Sequence, residues 1–245
     1  MAPLAGNPGA DSASVQDYVK TIYALAEWHD EPVTSSRLAA RLSVANSSVS
    51  EMIRKLSDLG LVHHKPYRPV ELTADGRLLA LAMVRRHRLL ETFLVQDLGY
   101  RWDEVHDEAE QLEHTVSDVF IDRLDARLGY PATDPHGDPI PTSAGSITLP
   151  DAIPLVRFDD GHSGRVARIS DEDPQLLRFL AAERIGIGSP LTVLRRMPFG
   201  RSVLACVDND SDSDSGPREV VLGEELLSSI WAESTGQHAN CSLGP

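Results

Sequence analysis

Between Val105 and His114 the chain reads Val-His-Asp-Glu-Ala-Glu-Gln-Leu-Glu-His. On a helix His106, Glu110, Glu113 and His114 fall at i, i+4, i+7 and i+8, so two imidazoles and two carboxylates share one face. Upstream, in the Arg-Arg-His-Arg-Leu-Leu-Glu stretch of residues 85–91, His87 and Glu91 stand one helical turn apart. These donors are hard or borderline, and neither stretch contains cysteine. Such a set suits Mn²⁺, Fe²⁺ or Zn²⁺ and disfavours thiolate zinc or copper chemistry. The plain alternative is a polar, solvated helix face. A sharper rival is a carboxylate-bridged di-iron enzyme, but that needs Glu-x-x-His pairs on two helices, and Gln111 stands three residues before His114.

The donors need helices to hold them. Apolar spacing of three and four at Val15, Tyr18, Ile22 and Leu25 predicts a helix over residues 14–29, with Ser14 as its cap. A short helix over 33–42, a turn at 43–46 and a third helix over 47–59, stopped by Gly60, make a helix-turn-helix. Residues 61–73 read as two short strands around a basic tip, with alternation at Val70 and Leu72, which is the wing of a winged helix. A long helix follows from Thr73 to about Gln96, then the donor-bearing helix over 103–116 and another over 117–128. Four prolines between Pro131 and Pro141 forbid regular structure there and leave an ordered loop or linker. Farther on, 164–169, 190–195 and 202–207 have strand composition, and 219–222 leads into a last helix ending at Trp231. These strands predict a small SH3-like β-barrel; the Asp/Ser/Asn tract 208–216 is a solvated hairpin loop whose carboxylates bind cations only weakly.

A chain of 245 residues is long for one core and natural for two domains or more. Its two cysteines, Cys206 and Cys241, lie in unrelated contexts, and no apolar run approaches the roughly 18 residues of a membrane span. The first fourteen residues read as a floppy tail rather than a signal peptide, which makes a cytoplasmic protein the default. The formal net charge is −14, yet residues 34–90 carry ten Lys/Arg against four Asp/Glu. That segment is a basic working face, suited to phosphate, attached to acidic surroundings. Ser47, Ser48 and Ser50 are short donors near a helix start, and Arg54 and Lys55 extend the basic surface. Glu51 can only accept, which at a base edge favours cytosine. Arg37, Lys65 and Arg68 complete the candidate DNA contacts, and His63 and His64 read as solvated wing residues rather than ligands.

The order of parts, a winged helix, then His-Arg-Leu-Leu-Glu, then Val-His-Asp-Glu-Ala-x-x-x-Glu-His, then Asp-Pro-x-Gly-x-Pro-Ile-Pro, resembles the diphtheria toxin repressor family of metal-dependent transcriptional regulators. The resemblance covers roughly residues 14–230. It implies a mainly α protein with small β elements: a tail (1–13), a winged-helix DNA-binding domain (14–74), a helical metal-binding and dimerisation domain (75–141), a linker (142–152), an SH3-like, FeoA-like domain (153–232) and a second tail (233–245). It further implies a homodimer that binds palindromic operators when loaded with metal and represses uptake genes, with no catalytic activity, membrane partner or small-molecule substrate.

Carried over residue by residue, the resemblance places an ancillary metal site at His87, Glu91 and His106, with Glu172 and Gln175 donated by the SH3-like domain. The primary site falls on Asp17, Glu110, Glu113 and His114. The iron-responsive branch has Met and Cys where this chain has Asp17 and Glu110, so the chain is similar instead to the manganese transport regulators. Mn²⁺ lies at the weak end of the divalent affinity order, and a sensor for it must select by hard oxygen ligands, as two carboxylates in place of two sulfurs do. Lys20 stands where two-domain manganese regulators place a glutamate; a cation there opposes a closely spaced binuclear cluster, and the SH3-like domain points to two separated sites, hence two ions per subunit. The expectation is a Mn²⁺-dependent repressor. An Fe²⁺-dependent repressor of the same family is the alternative, and a carboxylate-bridged metalloenzyme with a nucleic-acid-binding module is the reading from another class.

Overall fold

The computed structural model describes residues 9–10, 12–28, 31–63, 65, 68–197, 201–208 and 216–236. Most of both expected tails, the wing tip with His64, most of the acidic tract and Cys241 lie outside the described residues. The elements in chain order are α1 (Ala13–Glu27), α2 (Ser35–Arg41), α3 (Asn46–Asp58), β1 (Val62–His63), β2 (Glu71–Leu72), α4 (Ala74–Leu98), α5 (Val105–Glu113) and α6 (Asp118–Arg127). Then come β3 (Ala152–Pro154), β4 (Ser163–Ile169), α7 (Pro174–Ala182), β5 (Pro190–Arg196), β6 (Ser202–Val207), β7 (Arg218–Gly223), α8 (Glu224–Ser229) and β8 (Ile230–Gly236). Among the described residues no helix is long and apolar enough to cross a membrane.

The chain divides into two compact units, and the division falls within α4 and α5. The first comprises Met1–Leu89, Gln111–Leu124 and Ile140–Ile147. Its core is built on helical spacing: Val15, Val19 and Ile22 from α1, Leu38 from α2, and Val49, Ile53 and Leu56 from α3 are all buried, with Leu81 and Val84 of α4 closing over them. Thr34 caps α2 by accepting from the Arg37 backbone N–H, 3.3 Å. Gly60 takes φ +73° after α3, the left-handed stop expected there, and the Leu61 N–H returns to the Leu56 carbonyl at 2.9 Å. The wing is short, with Val62 paired to Leu72 and His63 to Glu71.

The second unit comprises Leu90–Glu110, Asp125–Pro139 and Thr148–Pro245. Its six strands form one antiparallel sheet in the order β3-β8-β4-β5-β6-β7. Strict alternation of burial along β6 turns Val203, Ala205 and Val207 inward, onto a core with Phe158, Val166, Leu191 and Leu222. The expected last helix needs correction: it ends at Ser229, and Trp231 lies in β8, where Ile230 and Trp231 pair with Ile169 and Arg168 of β4. Helix α7 was not expected, although Asp173 accepting from Gln175 N at 2.7 Å and Pro174 at its first position are local start signals.

Candidate metal centres

In the first unit, α1 and the end of α5 bring Asp17, Glu113 and His114 together, with ligand-type atoms of all three within 4.8 Å of one another. Asp17 Oδ1 lies 2.8 Å from His114 Nε2, and the ring's Nδ1 meets Gln16 Oε1 at 2.9 Å. Glu113 is buried and engaged at both oxygens: Oε2 by His87 Nδ1 at 2.7 Å, Oε1 by Lys20 Nζ at 2.5 Å. Burial raises the Asp17 carboxyl above its ordinary pKa despite the His114 and Lys20 charges. Burial also works to raise Glu113, but His87 and Lys20 outweigh it and hold that carboxyl below its ordinary value. Three further arginines brace this unit's helices. Arg85 reaches Asp122 at 3.4 Å, Arg86 reaches Asp118 at 2.5 Å, and Arg88 of α4 holds Glu27 of α1 at 2.7 Å.

In the second unit, Glu91 of α4, His106 of α5 and Asp171 from the turn before α7 converge within 4.8 Å. His106 Nδ1 is 2.8 Å from Asp171 Oδ2 and 3.4 Å from Glu91 Oε1. Against the lowering effect of burial, these carboxylates push the His106 pKa up to about 11, and Asp171 is driven down in return. Glu91 also belongs to a fully buried group with Asp134 and His136. His136 Nδ1 is buried, makes no hydrogen bond among the described residues, and lies 3.8 Å from Glu91 Oε2, while its Nε2 meets the Trp102 carbonyl at 2.7 Å. Burial would lower His136, yet Glu91, Asp134 and Asp171 raise it to about 10. A divalent ion bound here would take the place of protons on these imidazoles and be ligated by their nitrogens and the neighbouring carboxylates, and the oxygen and nitrogen donors grouped in each unit fit Mn²⁺, Fe²⁺ or Zn²⁺.

The proline-rich loop positions His136. Asp134 Oδ1 accepts from the N–H groups of His136 (2.8 Å) and Asp138 (3.0 Å), an Asx-type turn. Its carbonyl at His136 receives Ile169 N at 2.9 Å, and Arg168 Nε donates to Asp138 at 2.8 Å. Gly137, at φ +87°, lies so close to β4 that a Cβ would fall 2.0 Å from the Ala167 carbonyl oxygen.

Asp17, Glu113 and His114 come together, as do Glu91 and His106. Glu110 directs its carboxylate to His106 Nε2, 3.6 Å away, and His87 directs Nδ1 to Glu113. Glu172 and Gln175 are exposed; the acid against His106 is their neighbour Asp171. Sequence reasoning missed Asp171, Asp134 and His136. The run Ser-Asp-Glu-Asp-Pro holds three acids, and spacing alone does not say which turns inward. On the helix-turn-helix, Ser47, Ser48, Ser50, Glu51, Arg54 and Lys55 are exposed on α3 opposite buried Val49, Ile53 and Leu56, and Lys65 and Arg68 are exposed on the wing. Arg37 differs: its guanidinium donates to the carbonyls of Glu31 (2.9 Å) and Pro32 (3.1 Å).

Three family profiles match in tandem: an iron dependent repressor N-terminal DNA binding domain over residues 12–70, an iron dependent repressor metal binding and dimerisation domain over 73–142, and a FeoA domain over 153–234. The chain is 38% identical over 151 residues to the iron-dependent repressor IdeR of Mycobacterium leprae, covering 60% of this chain and 65% of that protein. It is 35% identical over 198 residues to the diphtheria toxin repressor of Corynebacterium efficiens, covering 76% and 84%. The chain therefore spans just under two thirds of the mycobacterial relative and most of the corynebacterial one. Among solved structures, a manganese-dependent transcriptional repressor in complex with manganese is 50% identical, with TM-score 0.84 over 91% of this chain and all of that one. The manganese regulator SloR is 34% identical, with TM-score 0.73 over 90% and 98%.

Proposed function

The chain belongs to the diphtheria toxin repressor family of metal-dependent repressors, and from that premise we propose that it is a manganese-dependent transcriptional repressor that binds palindromic operator DNA as a metal-loaded homodimer and controls metal-ion uptake genes. The observation that carries the reading is the meeting of Asp17 with Glu113 and His114. Asp17 stands on the first helix of the DNA-binding profile, whereas Glu113 ends the second helix of the metal-binding one and His114 follows it. A bound divalent cation supplies the charge that lets acid and imidazole donors from both profiles share one site. Asp17 then fixes α1, and with it the helix-turn-helix core of Val15, Val19, Ile22, Leu38 and Ile53, against the end of α5. Metal binding favours the DNA-competent arrangement only through this differential affinity, and operator DNA must tighten metal binding by the same factor.

The first site uses Asp17, Glu113 and His114, to which the family pattern adds Glu110. The second uses Glu91 and His106 with Asp171 in the role first given to Glu172 and Gln175, and the family pattern adds His87. Ser47, Ser48, Ser50, Glu51, Arg54, Lys55, Lys65 and Arg68 meet the DNA, and α6 offers exposed Val119 and Phe120 to a second copy of the chain. Manganese rather than iron is supported by donor groups made, among the described residues, of carboxylates and imidazoles without cysteine, and by the similarity to the manganese-loaded repressor. Iron(II) is the second reading, favoured by the similarity to IdeR.

The test is an anaerobic titration of the full chain on DNA from its own upstream region, with Mn²⁺ and Fe²⁺ at matched free concentrations and with His114→Ala alongside. The expected result is Mn²⁺-gated binding that His114→Ala abolishes. Metal-independent binding, or an unchanged response in that variant, refutes the assignment of the site; turnover or oxygen consumption by the metal-loaded protein would refute the regulatory reading altogether.

A further inference from the structure

Building on the proposed manganese site, we propose that Lys20 is a tethered cation that competes with the metal for Glu113 and thereby sets how much free manganese the protein requires. Lys20 follows Asp17 by one turn of α1, and its ammonium sits 2.5 Å from Glu113 Oε1. The same oxygen is 3.6 Å from His114 Nε2, which in turn is 2.8 Å from Asp17 Oδ1. The ammonium therefore lies among the atoms that would ligate the ion. Side-chain exposure is 14% for Lys20 and 1% for Glu113, so the pair is shielded from solvent.

Without metal the contact is favourable. A carboxylate as buried as Glu113 is costly unless paired, and Lys20 pairs it. With metal the sign reverses. A divalent ion on Glu113 supplies the needed charge twice over, and the ammonium becomes a like-charged neighbour within the reach of one side chain. An interaction that stabilises the metal-free form and destabilises the loaded one weakens metal binding by that difference. One effect opposes it, because Lys20 also helps orient Glu113. That contribution is the smaller, since His87 already holds the carboxylate by its other oxygen at 2.7 Å. The same charge also repels a second divalent ion beside the first.

The experiment measures free Mn²⁺ by electron paramagnetic resonance, and thermal unfolding with and without Mn²⁺, for the unsubstituted full chain, Lys20→Gln, Lys20→Met, Lys20→Arg and His114→Ala. Both neutral variants should be less stable without metal, yet bind Mn²⁺ at the His114-dependent site about tenfold tighter or more, because a repulsion between neighbouring charges has gone. Saturating Mn²⁺ should then erase their stability deficit, and Lys20→Arg should keep the unsubstituted behaviour. A merely structural lysine predicts a deficit that persists at saturating Mn²⁺. That result, or Mn²⁺ binding no tighter in the neutral variants, overturns the proposal. Mn²⁺ binding by the unsubstituted chain that disappears in His114→Ala tests the site independently: if it holds, a failed competitor role leaves the manganese reading standing, and if it is absent both fall.

Discussion

Arg88→Met should destabilise the metal-free protein more than its modest chemistry suggests. Arg88 donates through Nη1 to Glu27 Oε1 at 3.2 Å and through Nη2 to Glu27 Oε2 at 2.7 Å, a two-pronged pair joining α4 to α1. The side chains are only 9% and 2% exposed, so water cannot replace the guanidinium once it is gone. The Tyr23 hydroxyl, held protonated by burial and by Glu27, donates to the same carboxylate at 3.0 Å and cannot neutralise it. Removing one partner of a buried pair costs about 3–5 kcal/mol. At roughly 2–4 °C per kcal/mol for a chain of this size, Tm should fall by roughly 6–20 °C. Replacing both members should behave differently. Glu27→Leu combined with Arg88→Met leaves no stranded charge and should recover most of the loss, because a buried pair is itself close to break-even against apolar packing. Calorimetry on the two single variants and the double closes the cycle. Single losses below about 1 kcal/mol, the size expected of an exposed pair, would refute the reasoning. So would a double variant as unstable as the sum of the singles.

Asp103 offers a pH test in the second unit. Burial pushes its carboxyl up, but hydrogen bonds and charge from Arg101 (2.6 Å) and Arg178 (3.3 Å) more than reverse this and hold its pKa below the ordinary value. Its stabilisation is therefore full above the ordinary carboxylate pKa, about 4, and is lost as pH falls through the lowered value. Tm of Asp103→Asn should lie below that of the parent at neutral pH and converge with it in acid, whereas a constant gap would show that charge is not the cause. Gly137→Ala should force the proline-rich loop off β4, since left-handed backbone alone costs about 1–2 kcal/mol for a residue with a Cβ and the clash with Ala167 adds to it. Metal analysis should show one Mn²⁺ lost per chain with the His114-dependent ion retained; two retained ions would separate the loop from the second site. Asp17→Met with Glu110→Cys should move operator binding from Mn²⁺ toward Fe²⁺ or Co²⁺ and introduce sensitivity to oxidation, read by anaerobic titration at matched free metal. An unmodified chain that answers equally to Mn²⁺ and Fe²⁺, with no change in the double variant, would defeat the manganese assignment.

What was legible in the sequence is what one helix or one hairpin decides for itself. His106 and Glu110 meet because four residues make a turn, and Val49, Ile53 and Leu56 share a buried face for the same reason. Gly60 stops α3 through a backbone conformation that residues with a Cβ resist. Tertiary structure decided everything that required two distant segments to meet. Asp171 rather than Glu172 or Gln175 faces His106 because the turn before α7 sets which of three neighbouring acids points inward. His136 becomes a candidate donor only because its loop bonds to β4 at Ile169. Trp231 belongs to a strand rather than to the end of α8 because β4 and β3 both pair with that stretch, and ladder partners outweigh local propensity. Lys20 stands out in sequence only through the family resemblance, as a cation where manganese regulators place a glutamate. Its place on Glu113, 93 residues away, depends on α1 packing against the end of α5, and no local rule contains that distance.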